Sequence, residues 1–254
     1  MARRDIHWLA FFALVLGAWT ALYLMAGGIA PESRGVLAAL AALCTGGSAS
    51  TTDPAALWIM WALMGAAMML PTLVPFLGTL TRMTRDAAGW WGVILGYGAI
   101  WAGFALLATL VQSALAGAGL LDSRMALTVV WLQGALLALA GLYQLSNAKM
   151  HCQSACLSPT TYLIGRYRPG LAGGVRMGVE QGLWCLGCCW AIMALAFVGG
   201  VMNLVWMGLA TVFMVLEKLP QLGGPLRRPA GWGLVLGGIV VMAFETGKAG
   251  VTWL

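Results

Sequence analysis

The stretch from Gly182 to Leu219, GLWCLGCCWAIMALAFVGGVMNLVWMGLATVFMVLEKL, decides the fold, because it holds no charged residue before Glu217 and Lys218. A run this long and this apolar belongs in a lipid bilayer. There the backbone N–H and C=O groups must be satisfied without water, which leaves helices and closed barrels. It exceeds the roughly 20 residues that one span needs. It divides at Gly199-Gly200 into a helix from Gly182 to Val198 and another from Val201 to Leu216.

The rest of the chain has the same character. Its 254 residues are 61% hydrophobic and 9% charged, with a mean hydropathy of +0.88. A soluble domain carries about 25% charge, so this chain lacks the polar coat that water demands. Each apolar run outlasts the roughly 10 residues of a barrel strand, which selects helices. Gly 35 and Trp 13 fit close helix packing and headgroup-level anchoring. A net charge of +6 drawn from so few charges reports orientation in a membrane rather than nucleic-acid binding.

Working outward, the pattern predicts an all-α, polytopic transmembrane helix bundle of about seven spans. The other five run over Trp8 to Gly28, Ala55 to Leu80, Trp90 to Ala116, Met125 to Leu145 and Gly231 to Thr252. With the N-terminus cytoplasmic and the C-terminus periplasmic, eleven basic residues lie inside and only Arg34, Arg124 and Lys248 outside. Reading Gly182 to Leu219 as one span would move Lys218, Arg227 and Arg228 outside, against the positive-inside rule. Met1-Ala-Arg-Arg followed by the apolar Trp8 to Ala30 reads as an anchor rather than a cleaved leader. Residues 1–254 form a single integral membrane domain, with 146–181 a cytoplasmic cysteine-containing connection, in a multi-pass protein of a bacterial inner membrane. An apolar stretch in the first external loop, Val36 to Leu43, is suited to lying along the interface.

Five of the six cysteines fall into two clusters, His151-Cys152-x-x-x-Cys156 and Cys185-x-x-Cys188-Cys189. The i, i+3 and i+4 spacings put these thiols on shared helix faces, with Cβ atoms about 5–6 Å apart. Both clusters face the cytoplasm in this topology, a reducing compartment where structural disulfides are rare. Two pairs at adjacent helix ends suit a four-thiolate site, with His151 and Glu180 as supporting candidates. Thiolates select soft or borderline ions, namely copper, zinc or an iron–sulfur cluster. Cys44, alone in the external loop, reads as a small buried hydrophobe.

Helix Ala55 to Leu80 carries Met60, Met64 and Met68 at i+4 spacing, followed by Met69, Pro71 and Pro75. Methionine fills gaps in apolar cores, and this stripe has that ordinary reading. Thioethers also bind Cu(I), which makes Met64, Met68 and Met69 secondary candidates. Asn203 reads as a helix cap, Gln144 lies at the depth of Cys185, and Glu180 favours a helix N-terminus. Glu217 and Lys218 read as interface residues closing a helix.

These segments resemble a bacterial family of predicted metal-binding integral membrane proteins, a domain of unknown function. The resemblance runs through Trp61-Ala-Leu-Met64-Gly-Ala-Ala-Met68-Met69-Leu70-Pro71, through Tyr143-Gln144 with Lys149 and the Cys152/Cys156 pair, and through Gly182-Leu-Trp-Cys185-Leu-Gly187-Cys188-Cys189-Trp190. It continues from Met202-Asn203-Leu204 to Glu217-Lys218, so that it covers most of the chain. It implies metal binding without an assigned reaction. The chain departs from the family pattern at Met150-His151 and Ser158-Pro159, which leaves His151 as an added ligand candidate.

The expectation is therefore a soft-metal, copper-handling membrane protein for delivery or homeostasis. Its metal ligands would be Cys152, Cys156, Cys185, Cys188, Cys189 and His151, with Met64, Met68 and Met69. Its surroundings would be the lipid bilayer and a metallochaperone or larger membrane complex. Two alternatives stand beside it. One is a thiol-disulfide or electron-transfer protein using Cys185 and Cys188; the other is a structural subunit whose thiols only pack. With only His7 and His151 available, haem ligation is disfavoured.

Overall fold

The computed structural model describes residues 2–26, 54–122, 125–201, 203–219 and 221–251. The described residues are helical and contain no strand. The helices are α1 (Ala2–Ala26), α2 (Pro54–Met83), α3 (Ala87–Gly117), α4 (Val130–Leu145), α5 (Asn147–Leu157), α6 (Pro159–Ile164), α7 (Gly170–Ala194), α8 (Ala196–Gly199), α9 (Leu204–Glu217) and α10 (Gly223–Val251). Among the described residues, four segments are long and apolar enough to cross a membrane: Ile6–Met25, Pro54–Met83, Ala87–Gly117 and Gly170–Gly199. Helices α4 and α9 are apolar but shorter, at 16 and 14 residues. Cys44 and the Val36 to Leu43 stretch lie outside the described residues.

The break within Gly182 to Leu219 falls at Gly199-Gly200. Gly200 adopts φ 90°, a backbone conformation that side-chain-bearing residues rarely take. Asn203 then caps α9: its side chain accepts from Trp206 N at 3.1 Å and donates to Gly199 O at 3.1 Å.

The segment expected to connect helices over 146–181 is itself helical. It forms α5 and α6, and its last third belongs to α7, which starts at Gly170 rather than Gly182. Glycines explain the longer helix. Gly174, Gly178 and Gly182 recur every fourth residue and face Gly89, Val93 and Ile100 of α3, while Gly92 and Gly96 face the backbone of α7. This small-residue seam lets the two backbones approach so closely that no side chain fits between them. Asp86 fastens its end by capping α3 at Gly89 N (3.0 Å) and accepting from Gly170 N at the start of α7. A second glycine seam, Gly134 and Gly141 against Gly238 and Gly231, joins α4 to α10.

Pro71 has no N–H to offer the carbonyl of Ala67, one turn earlier. Trp19 of α1 supplies the missing donor, with its indole N–H 3.0 Å from Ala67 O. The exterior is apolar: Leu95, Leu106, Leu110, Leu139, Leu209 and Phe244 are all exposed. Several charges, by contrast, lie inside.

A candidate thiol site between α2, α3, α7 and the end of α9

The α3–α7 seam sets the geometry. Tyr97 follows Gly96, and Cys185 lies one turn beyond Gly182, so the two side chains meet across the closest approach of the helices. Tyr97 Oη is 2.9 Å from Cys185 Sγ. Tyr97 also donates to Met69 O at 3.0 Å and lies 3.2 Å from Thr72 Oγ1, both on α2. Thr72 donates to the same Met69 carbonyl at 2.7 Å.

Cys185, Cys188 and Cys189 are buried, and their sulfurs all lie within 4.8 Å of one another. Cys188 Sγ is 3.3 Å from Cys189 Sγ and 3.2 Å from the carbonyl of Cys185. A thiolate–metal bond is about 2.3 Å, so two sulfurs sharing one ion lie at most about 4.6 Å apart. The spread of this group sits at that limit, within reach of a small side-chain rotation. Three buried sulfurs suit a soft ion of low coordination number.

The first cysteine cluster approaches from α5. Cys156 is buried, accepts from Gln181 Nε2 at 3.5 Å, and its thiol interacts with that of Cys188. Cys152 is half-buried and packs over Gly187, where an added Cβ would come within 2.7 Å of its sulfur. Burial pushes the Cys152 thiol up from its ordinary range. His151 is exposed, with its ring edge-on to Trp184 at 5.4 Å between centroids. Glu180 is held by Tyr162 (2.6 Å), Arg166 (3.3 Å) and Arg176 (3.4 Å). Burial, with the bond to Glu180, pushes Tyr162 up to about 12. Met64, Met68 and Met69 are all buried in α2, and Met69 meets the site through its carbonyl.

Sequence reasoning missed the charged residues. Glu217 and Lys218 read as interface caps, yet each is only 4% exposed. Lys218 Nζ donates to Cys185 Sγ at 2.9 Å and to Thr72 Oγ1 at 2.8 Å. Glu217 turns the other way and pairs with Lys149 of α5 at 2.7 Å, both side chains at most 5% exposed. Gln144 of α4 bridges this pair, donating to Glu217 and accepting from Lys149. Gln153 donates to the Glu217 carbonyl at 2.7 Å. The signal was present in part: Lys149 and Gln144 stand beside residues already singled out. A Lys-Glu pair far apart in sequence has no periodicity to betray it.

No curated protein and no solved structure matches the chain. The family model PpoB2, described as a copper chaperone, matches residues 58–241, which take in all five clustered cysteines and the buried Lys149 and Lys218. The chain belongs to this copper chaperone family.

Proposed function

We propose that this protein is a multi-pass membrane copper chaperone that takes up Cu(I) on the thiols of Cys185, Cys188 and Cys189 and releases it to a partner. The convergence of three buried sulfurs within 4.8 Å carries this reading. Cys156 and Cys152 flank the trio as the further thiols through which the ion enters or leaves. Lys218 offsets the negative charge that several thiolates place in an apolar interior. Copper is the cargo, and thiolates suit it better than harder ions.

The inverted distribution of side chains supports a bilayer setting. Leucines and Phe244 cover the outside, while Lys149, Glu217 and Lys218 are enclosed. In a membrane, ionisable residues face the bundle interior and pair with one another, as these do. The reading extends to a single integral domain over residues 1–254 in a bacterial inner membrane, with seven spans, a cytoplasmic N-terminus and the cysteine clusters on the cytoplasmic side. A metallochaperone or a larger membrane complex is the exchange partner.

Metal analysis of the full chain, purified without chelators, tests the reading. Copper near one equivalent or more is expected, and it should fall in a Cys188→Ser/Cys189→Ser variant. Copper content that is negligible, or unchanged in the variant, would sink it. A reporter fused after Ser158 reads the side of the membrane.

A further inference from the structure

Four methionines from three helices line one small cavity, together with Ile192, Ala196, Trp206 and Ala210. Met64 and Met68 come from α2, Met193 from the last turn of α7 and Met207 from the first turn of α9. None is more than 2% exposed. The space they line is about 10 Å³, room for roughly one water-sized sphere. Flexible methionines normally close such gaps; here one of atomic size stays open beside four of them. Among the described residues no carboxylate, imidazole or thiol lines it, and the soft donors there are thioethers.

We propose that Met64, Met68, Met193 and Met207 form a second Cu(I) site, which exchanges its ion with the cysteine trio. The proposal rests on the copper reading above and adds a site to it. Cys185, Cys189 and Met193 recur at i, i+4 and i+8, so they follow one stripe of α7. One turn raises the chain by about 6 Å between Cys189 and Met193. Neutral thioethers leave the charge of a buried Cu(I) unbalanced, whereas thiolates neutralise it. The cavity therefore holds the ion more weakly than the thiols and suits brief occupancy. Transfer is ligand exchange: up to four thioether–copper bonds break as up to three thiolate–copper bonds form, with the coordination number falling to that of the trio. Copper stays Cu(I), no electron moves, and any thiol proton displaced goes to solvent.

The test titrates the full chain in detergent, without oxygen, with Cu(I) supplied as its acetonitrile complex. Three proteins are compared: the unaltered chain, Cys188→Ser/Cys189→Ser, and Met64→Leu/Met68→Leu/Met193→Leu. Leucine conserves methionine's volume closely enough to keep the fold, and single Met193→Leu serves if the triple variant does not fold. The methionine variant is expected to bind one Cu(I) fewer per chain while keeping the ultraviolet thiolate–copper absorption. The cysteine variant should keep one sulfur-bound Cu(I) and lose most of that absorption. A methionine variant that binds as many ions as the unaltered chain overturns the thioether site alone. An unaltered chain that binds no Cu(I) overturns both this site and the copper reading.

Discussion

Lys218 Nζ lies 2.9 Å from Cys185 Sγ, deep in the bundle, although α8 and α9 separate the two residues in the chain. An ammonium taken out of water needs close partners. Glu217, the nearest acid in sequence, is already committed to Lys149. The thiol group and Thr72 are what remain to Lys218.

Removing that cation should weaken copper binding. Hydrogen bonds to charged groups contribute about 1.5–3 kcal/mol, and each 1.4 kcal/mol is about tenfold in affinity. Lys218→Met keeps the length of the side chain and is expected to lower Cu(I) affinity by about 10- to 100-fold. Competition against a coloured Cu(I) chelator measures it. An affinity equal to that of the unaltered chain would show that Lys218 does not act on the trio.

The Lys149–Glu217 pair makes a separate prediction. Breaking a buried pair on one side leaves a stranded charge and costs about 3–5 kcal/mol. Glu217→Gln should lower the thermal midpoint sharply, and Glu217→Gln/Lys149→Met should recover much of the loss. Thermal unfolding in detergent reads both, and an additive loss in the double variant argues against the pairing.

The α3–α7 seam can be tested at one atom. A Cβ at Gly178 would press on the Val93 carbonyl and come within 2.9 Å of Tyr97 N, whereas one at Gly98 meets nothing within 4 Å. Overpacking costs about 1–3 kcal/mol. Gly178→Ala should destabilise by that amount and also displace Tyr97 from Cys185. Gly98→Ala should be neutral or slightly stabilising, since alanine is the better helix former by about 1 kcal/mol. Equal midpoints for the two variants would contradict the close approach.

Asp86 gives a pH dependence. The N–H groups of Gly89 and Gly170 hold its carboxyl below the usual carboxylate range. A depressed folded-state value means stabilisation that is fully present above the unfolded carboxylate's pKa, about 4, and lost as pH falls through the folded one. Asp86→Ala should cost about 0.5–2 kcal/mol at pH 7, as an N-cap does. The gap between variant and unaltered chain should narrow below about pH 4. A gap of constant size down to pH 2 would assign the effect to something other than the charge.

How much of this was legible follows from what each feature depends on. Helices announce themselves through local apolar runs, and the Gly199-Gly200 break and the Asn203 cap are likewise local. The proximity of Cys185, Cys188 and Cys189 also follows from spacing on one helix. Helix α7 was read twelve residues short because its first turns are glycine-rich and interrupted by Arg176 and Glu180, and only the glycine repeat facing α3 marks them as packed. Burial of Glu217, Lys218 and Lys149 depends on which helix ends meet, and no window of sequence contains that information. A lysine closing an apolar run looks the same whether it reaches water or a thiol.

Glu217 and Lys218 are neighbours, joined by a single peptide unit, and they pull in different directions. Glu217 holds α4 and α5 through Gln144, Lys149 and Gln153. Lys218 holds α2 and α7 through Thr72 and Cys185. The end of α9 is thus a rivet through two plates. Consecutive Cα atoms are fixed at 3.80 Å, so one peptide unit joins the two halves of the bundle, and neither lysine–acid nor lysine–thiol contact can be rebuilt without reference to the other.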